Sequence, residues 1–498
     1  MTTRRANTKP RGGKAAKTQD DPGADGAPNA KERTSGTRGG SRGARYRRLP
    51  TGAHGLTREQ VEQDQRDRLR SAMIELIAER GYPAVRILDL TQLAHVSRPT
   101  FYNLYTDKEE LLLSAYDDIA GRTTDRVAEA YGEGGSTEES LRLALQTFAE
   151  IAAAEPEAMT LALLGTFGAG PRALERRNHT IVALEQLVTA GRAHSWSEQP
   201  RDLTAKFLIG GIREVAATRL RQGRAHELPG LAGELGDWAM AYPPDLPLGL
   251  EGPRRVRRRA SSEPDGVVVR DGRARAERRL PSGRHDLARE EVVKSQRERI
   301  VDATAEIVAE KGFAGLTIPE IASRANVSHE TFYEMYPTKH DAFLGAQKVG
   351  LHQALRTTAD AYVVHGVASW AEGVAAGLNA LMDFVCSEPA HAHLTLVDTF
   401  GASPQAIEIR EHALADFTAY LQPGFEHASV EGELPDVAAE AVAGGIWQVL
   451  HHYIEHKRLD ELCDVSPQLV YLTLSPFIGP EAAADAARQP SASPRSEA

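Results

Sequence analysis

The chain has 498 residues, 41% hydrophobic and 26% charged, with a net charge of −10 and two cysteines, Cys386 and Cys463. Single hydrophobic cores stop growing at roughly 250–300 residues, so at least two compact units are expected. No run approaches the ~18 apolar residues of a spanning helix, and the polar stretch Met1 to Arg48 lacks the apolar core of a signal peptide. The reading is a cytoplasmic protein whose cysteines are packed thiols of a reducing compartment.

Residues 1–50 hold 13 Lys/Arg against 4 Asp/Glu, and residues 251–290 hold 12 against 7. These segments carry +9 and +5, leaving −24 on the rest of the chain. Basic segments on acidic bodies suit local attraction to a polyanion. Either one alone reads more plainly as a solubilising tail.

After the basic arm, 1–50, a capping box at Thr57-x-x-Gln60 starts a helix. Its apolar face is Leu69, Ala72, Met73, Leu76 and Ile77, and it ends at Gly81. A short helix spans Ile87 to Ala94, and the chain then turns at His95, one of the residue types that tolerates positive φ. Ser97 caps a third helix. Val96, Phe101 and Tyr105 pack inward, leaving Arg98, Pro99, Thr100, Tyr102 and Asn103 facing out. Thr106-x-x-Glu109 opens a fourth helix with Lys108 in its first turn, where a lysine beside free backbone N–H groups can bind phosphate. Residues 113–242 alternate helical patterns with short breaks. The stretch 243–291, with Arg254-Arg255-Val256-Arg257-Arg258-Arg259 among Gly, Ser and Pro, reads as a flexible linker.

The same elements then recur. Ser295-x-x-Glu298 predicts a second helix start, followed by Ile300, Ala303, Thr304, Ile307 and Val308 on one face, a stop at Gly312, and a helix over Ile318 to Ala325 capped by Thr317 with Glu320. A turn at Asn326, an N-cap at Ser328 and Thr338-x-x-Asp341 with Lys339 complete the correspondence. Thr100-Phe101-Tyr102 matches Thr331-Phe332-Tyr333 at an offset of 231; Thr166-Phe167-Gly168-Ala169 matches Thr399-Phe400-Gly401-Ala402 at 233; Gly210-Gly211-Ile212 matches Gly444-Gly445-Ile446 at 234. Collinear matches over about 150 residues indicate a duplicated unit. The expected fold is all-α, with heads at 51–112 and 292–343, helical regulatory domains at 113–242 and 344–480, and a disordered tail at 481–498.

The segments LTQLAHVSRPTFYNLYTDKEEL and IASRANVSHETFYEMYPTKHDA resemble the DNA-binding signature of the tetracycline-repressor (TetR) family. The resemblance implies two helix-turn-helix heads on six-helix regulatory domains, acting as a two-fold dimer. In one chain this becomes an intramolecular pseudo-dimer, with the glycine-pair helices in the dimer interface. It places Arg98, Pro99, Thr100 and Asn103 at base edges and nearby sugar-phosphate, Tyr102 and Lys108 on phosphates, and Arg86 at the entry of the second helix. The matching positions in the second copy are Thr317, His329, Glu330, Thr331, Tyr333, Glu334 and Lys339. Glu330 and Glu334 are repelled by phosphates, yet glutamate can accept from cytosine N4, so a different half-site preference and a decayed reader both fit. Thr91 departs from the small Ala322 where the second and third helices should pack.

The implied function is a DNA-binding transcriptional regulator, a repressor released by a small-molecule effector bound inside the bundles. Trp196, Trp370, Phe384 and Phe400 are candidate ligand contacts or plain core. A helical adaptor with degenerate heads is the alternative. No phosphate loop, nucleophile elbow or HExxH points to an enzyme, and no cofactor site is read. His391-x-His393 and His452 with His456 have metal-compatible spacing without an evident third ligand. Arg38 to Arg48 are expected to contact the minor groove or phosphates beside the first half-site. Deleting residues 1–48 should therefore lower DNA affinity at moderate salt with little change in melting temperature. Anisotropy titrations and calorimetry of the truncated chain check this, and unchanged affinity would reduce the arm to a solubilising tail.

Overall fold

The glycine pairs singled out in the sequence are where the two halves of the molecule meet. The computed structural model describes Tyr46 and residues 56–192, 203–243, 247, 250, 289–366, 369–428 and 434–488. Most of the arm and linker, the last ten residues, Trp196 and the side chains of Phe400 and Cys463 lie outside that set. Both copies belong to one compact unit, Arg48–Ala498. Its described regular structure is entirely helical.

The first copy comprises α1 (Arg58–Arg80), α2 (Ile87–Leu93), α3 (Arg98–Leu104), α4 (Lys108–Glu133), α5 (Thr137–Ala154), α6 (Pro156–Thr160), α7 (Pro171–Arg192), α8 (Thr204–Arg221) and α9 (Leu228–Met240). The second comprises α10 (Arg289–Gly315), α11 (Ile318–Ala325), α12 (His329–Met335), α13 (Lys339–Gly366), α14 (Trp370–Ser387), α15 (Pro389–Leu396), α16 (Thr399–Ala402), α17 (Pro404–Ala419), α18 (Ala438–Glu455), α19 (Leu459–Leu462), α20 (Ser466–Ile478) and α21 (Pro480–Arg488).

Several local expectations hold. Thr57 and Gln60 form the reciprocal capping box of α1, and Ser97 and Ser328 cap α3 and α12 through the N–H groups of Thr100 and Thr331. His95 and Asn326 take φ of 53° and 50°. Thr91 is buried, and its hydroxyl donates to the carbonyl of Leu88 at 3.0 Å, which accommodates it where the second copy has Ala322.

Others are corrected. Ser295 lies inside α10, whose first turn is already occupied by Glu290 and Glu291, acids that suit a helix N-terminus. Thr317 stands at the α11 N-cap without accepting a backbone bond through its side chain, and the Glu320 carboxylate, which would complete a capping box, is drawn to Lys311 and Arg324 instead. Asp107 rather than Thr106 caps α4, while Thr106 donates to Glu110. Gly81 and Gly312 have positive φ but extended ψ of 156° and 170°, so neither is a left-handed helical stop. The tail does not begin at 481: Ala483, Ala484 and Ala487 of α21 form a buried stripe, and α21 packs on α20.

Between the copies, α8 crosses α18 along its length. A Cβ on Gly211 would stand 2.5 Å from both the Ala441 carbonyl oxygen and the ring of the fully buried Trp238, so only glycine permits this approach. Gly210 meets Gln448 and Gly444 meets Glu214 in pseudo-symmetric fashion. A Cβ on Gly168 would fall 2.7 Å from the Gly401 Cα, so the repeated Thr-Phe-Gly-Ala segments also touch each other. Around this seam Arg410 makes two 2.7 Å bonds to Glu214, Arg219 makes two 3.0 Å bonds to Glu440, and Arg221 pairs with Glu411. Burial opposes ionisation of Glu214, but Arg410 and Arg221 outweigh it and hold the carboxyl at about 2.

Replacing Gly211 by Ala should destabilise the protein by about 1–3 kcal/mol through overpacking. Gly233→Ala, where a Cβ meets nothing within 4 Å, should be neutral or stabilising by up to about 1 kcal/mol. Urea midpoints of both variants decide whether the close crossing, rather than helix propensity, fixes these glycines.

Candidate DNA-binding heads

In each head two short helices meet at an angle set by one residue in the left-handed region, His95 or Asn326, and that turn is anchored from beneath. The Arg68 guanidinium, almost fully buried on α1, donates to the carbonyls of Ala94 (2.6 Å) and His95 (3.3 Å) and pairs with Asp64 at 2.8 Å. Arg299 on α10 does the same for Ala325 (2.8 Å) and Asn326 (2.9 Å). A turn that leaves carbonyls without helical partners needs donors, and an arginine supplies several in a rigid fork. Sequence reasoning missed this pair. The signal was present as arginines at the repeat offset of 231 on otherwise polar helix faces.

Phe101 and Phe332 are fully buried and fix the inward side of α3 and α12. The opposite side presents Arg98, Pro99, Tyr102 and Asn103 to solvent, with Thr100 half-buried beneath its bond to Ser97. In the second head His329, Glu330, Tyr333 and Glu334 are exposed and Thr331 is half-buried. Tyr102 and Tyr333 are 50% and 55% exposed, each edge-on to the buried phenylalanine before it. Tyr105 and Tyr336 turn inward; Arg66 stacks on the Tyr105 ring at 5.1 Å and donates to the Leu104 carbonyl at 3.1 Å.

The lysines have structural partners. Lys108 donates to the carbonyls of Tyr82 (3.1 Å) and Val85 (2.9 Å) and lies 4.0 Å over the Tyr82 ring, with burial lowering its pKa. Lys339 donates to the Leu316 carbonyl at 2.8 Å. Arg86, largely exposed, forks onto Asp89 at 2.9 and 3.1 Å. Thr317, its counterpart, is exposed. The first recognition surface therefore carries the positive charge of Arg98, while the second carries two acids and His329.

The histidine pairs do not converge into a metal centre among the described residues. His393 pairs with Asp398 at 2.8 Å, and the rings of His452 and His456 lie 4.4 Å apart, tilted by 38°. Burial, reinforced by Lys206, His456 and Arg458, pulls His452 down to about 3. No described helix is long and apolar enough to cross a membrane.

Two shelved recognition helices, each projecting exposed polar residues from a three-helix head on a helical bundle, define a DNA-binding regulator of the helix-turn-helix class. Residues 69–115 and 300–345 both match the model of bacterial regulatory proteins of the tetR family, so the chain carries two DNA-binding units of that type in tandem. A fatty acid metabolism regulator protein of Bacillus subtilis (strain 168) is 21% identical over 170 residues, covering 33% of this chain and 88% of the relative. Among solved structures, the fatty acid degradation regulator FadR of Bacillus halodurans matches 35% of this chain and 94% of its own, with 20% identity and a TM-score of 0.32. FadR of Bacillus subtilis in complex with stearoyl-CoA matches 34% and 96%, also at 20% identity and 0.32.

Arg98→Ala should weaken binding to the preferred site by about 1–3 kcal/mol and relax one base position while leaving the melting temperature unchanged. Lys108→Ala should instead lower stability by about 1–2 kcal/mol, because two carbonyls lose a charged donor. Anisotropy titrations on ranked sites, paired with calorimetry, separate reader from scaffold.

Proposed function

We propose that one chain acts as one two-headed, sequence-specific transcription factor, a repressor that a small-molecule effector releases from DNA. The observation that carries the two-headed reading is the α8–α18 seam, which joins two heads of like construction. Arg98, Pro99, Thr100 and Asn103 read base edges and nearby sugar, with Tyr102 and Arg86 at phosphates, while Lys108 supports the head from beneath through the Tyr82 and Val85 carbonyls. The second head applies His329, Glu330, Thr331 and Glu334 to a different half-site, with Thr317, Tyr333 and Lys339 at its backbone.

The charges at the seam favour pairing unlike copies. At the repeat offset of 234, Glu440 corresponds to Lys206, so a pair of first copies would set Arg219 against Lys206. A pair of second copies would set Glu411 against Glu455, the counterpart of Arg221. Like charges across a desolvated contact are strongly disfavoured, and the tether makes the mixed pairing intramolecular.

The effector reading is supported by an apolar cavity inside each bundle, of about 100 Å³ in the first copy and about 80 Å³ in the second. Met159, Ala162 and Leu163 line the first, from α6 and the π-helical turn Leu161–Gly165 that continues it. α6 packs on α1, and Gly165 sits against Ile77. In the second copy Ala392, Thr395 and Leu396 of α15 line the cavity, and α15 packs on α10. Each cavity thus shares a wall with the helix that anchors its head's turn, and a ligand that displaced that wall would move the recognition helix. Phe384 lines the second cavity; Trp370 instead donates to the Tyr420 carbonyl at 3.0 Å and stacks on His427.

Selection from random DNA should return a site with two unlike halves about one helical turn, roughly 34 Å, apart. Light scattering at low concentration should give the mass of one chain on it, and transcription from a promoter overlapping the site should fall when the protein is added. A stable pair of chains protecting a perfect palindrome would sink the one-chain model, and increased transcription would reverse the sign of regulation.

A further inference from the structure

The two cavities occupy equivalent places but differ at one end. In the first, Arg177, Arg213, Tyr116 and Thr180 gather on the wall, and apart from Thr123, Thr124 and Tyr131 the rest of the lining is apolar. No carboxylate among the described residues lines it. Arg177 is 2% exposed, and its Nε and Nη1 have no hydrogen-bond partner among the described residues; its guanidinium lies 4.4 Å over the Phe167 ring. Burial, then the neighbouring Arg213, pull its pKa down to about 9, which leaves it charged at neutral pH. The acid in its field, Glu455, accepts from the Asn178 amide at 3.2 Å.

At the corresponding positions of the second copy the polar end is gone. Arg213 is replaced by Trp447 and Thr180 by Ala413. Tyr116 is replaced by Gln347, which is bonded to Thr399 and the Ala406 carbonyl. Arg410, equivalent to Arg177, is not on the cavity wall and is held bidentately by Glu214 across the seam. The residue equivalent to Glu214 is Gln448, so the carboxylate that would satisfy Arg177 by symmetry is absent, and the Gln448 amide oxygen lies 3.5 Å from Arg213.

A buried guanidinium with unused donors beside an apolar chamber is complementary to an anionic head on an apolar body. We propose that the first bundle binds an amphipathic carboxylate, its head between Arg177 and Arg213 and its apolar body in the cavity, whereas the second cavity accepts only uncharged apolar ligands. This rests on the reading that the bundles receive the effector. The chain then senses one acid per molecule, through its first copy.

The full chain is titrated calorimetrically with octanoate and with 1-octanol, which share an alkyl body and differ in the head. Wild type should bind one octanoate per chain at least about tenfold more tightly than 1-octanol, the margin of a charge-assisted hydrogen bond. In Arg177→Met the preference should vanish while 1-octanol binding persists. This variant should melt no lower than wild type, since it removes an unpaired buried charge; a scaffolding arginine would give a lower melting temperature. Octanoate binding no tighter than 1-octanol, or undiminished in Arg177→Met, overturns the carboxylate assignment and leaves the effector reading intact. Absence of binding by both probes at millimolar concentration overturns both.

Discussion

The close crossing of α8 and α18 is the constraint on which the arrangement of the molecule depends. Backbone approaches this tight exist only where side chains are missing, and the sequence supplies Gly210, Gly211, Gly444 and Gly445 in the middle of helices that would otherwise gain from alanine. Once the backbones are in contact, the flanking residues have few positions open to them. Phe207 and Trp238 fill the space beside the crossing, and Glu214, Arg219 and Arg221 face acids or bases of the other copy. A charge removed from water must meet its opposite there, so the glycine contact fixes the register and the ion pairs penalise every other one.

A perturbation at either cavity has a short way to travel. The cavities lie between the seam and the heads, and in both copies a short helix forms part of the wall on one side and touches the head's first helix on the other. In the first copy that helix ends in a π-helical turn, a geometry often associated with functional sites because it gives up regular bonding for a local change of direction. From there the path is direct: α1 carries Arg68, and Arg68 holds the carbonyls at the turn before the recognition helix. Packed interiors transmit displacement because they compress little.

The helices, the turn and the duplication were legible because each rests on a local rule: apolar spacing, N-cap serines, and His95 and Asn326 at positive φ. The glycine pairs were legible as close approach because glycine inside a helix has a cost that contact must offset. What could not be read was anything decided between distant residues. Arg68 and Lys108 look like surface cations in the sequence and prove to be donors to main-chain carbonyls 23 to 27 residues away. The α10 start was misplaced because a Ser-x-x-Glu pattern occurs inside helices as readily as at their ends, and α21 was missed because an alanine-rich segment looks tail-like until a neighbouring helix covers it. The cavity arginines were invisible for the same reason, since pairing at position 410 and its absence at position 177 depend on residues 214 and 448 in the other copy.

That last difference shows what duplication in one chain permits. In a symmetric dimer every substitution appears twice, so replacing the seam glutamate by glutamine would strand two buried guanidiniums at once, each at a cost of several kcal/mol. In the tandem chain Glu214 remains to neutralise Arg410 while its repeat equivalent is Gln448, and Arg177 is left without the matching carboxylate. The same freedom applies at the heads, where Arg98 and Asn103 in one copy stand against His329 and Glu334 in the other. Covalent linkage keeps two halves together that no longer need to be alike, so each can keep the part of the original symmetric task that its own residues perform.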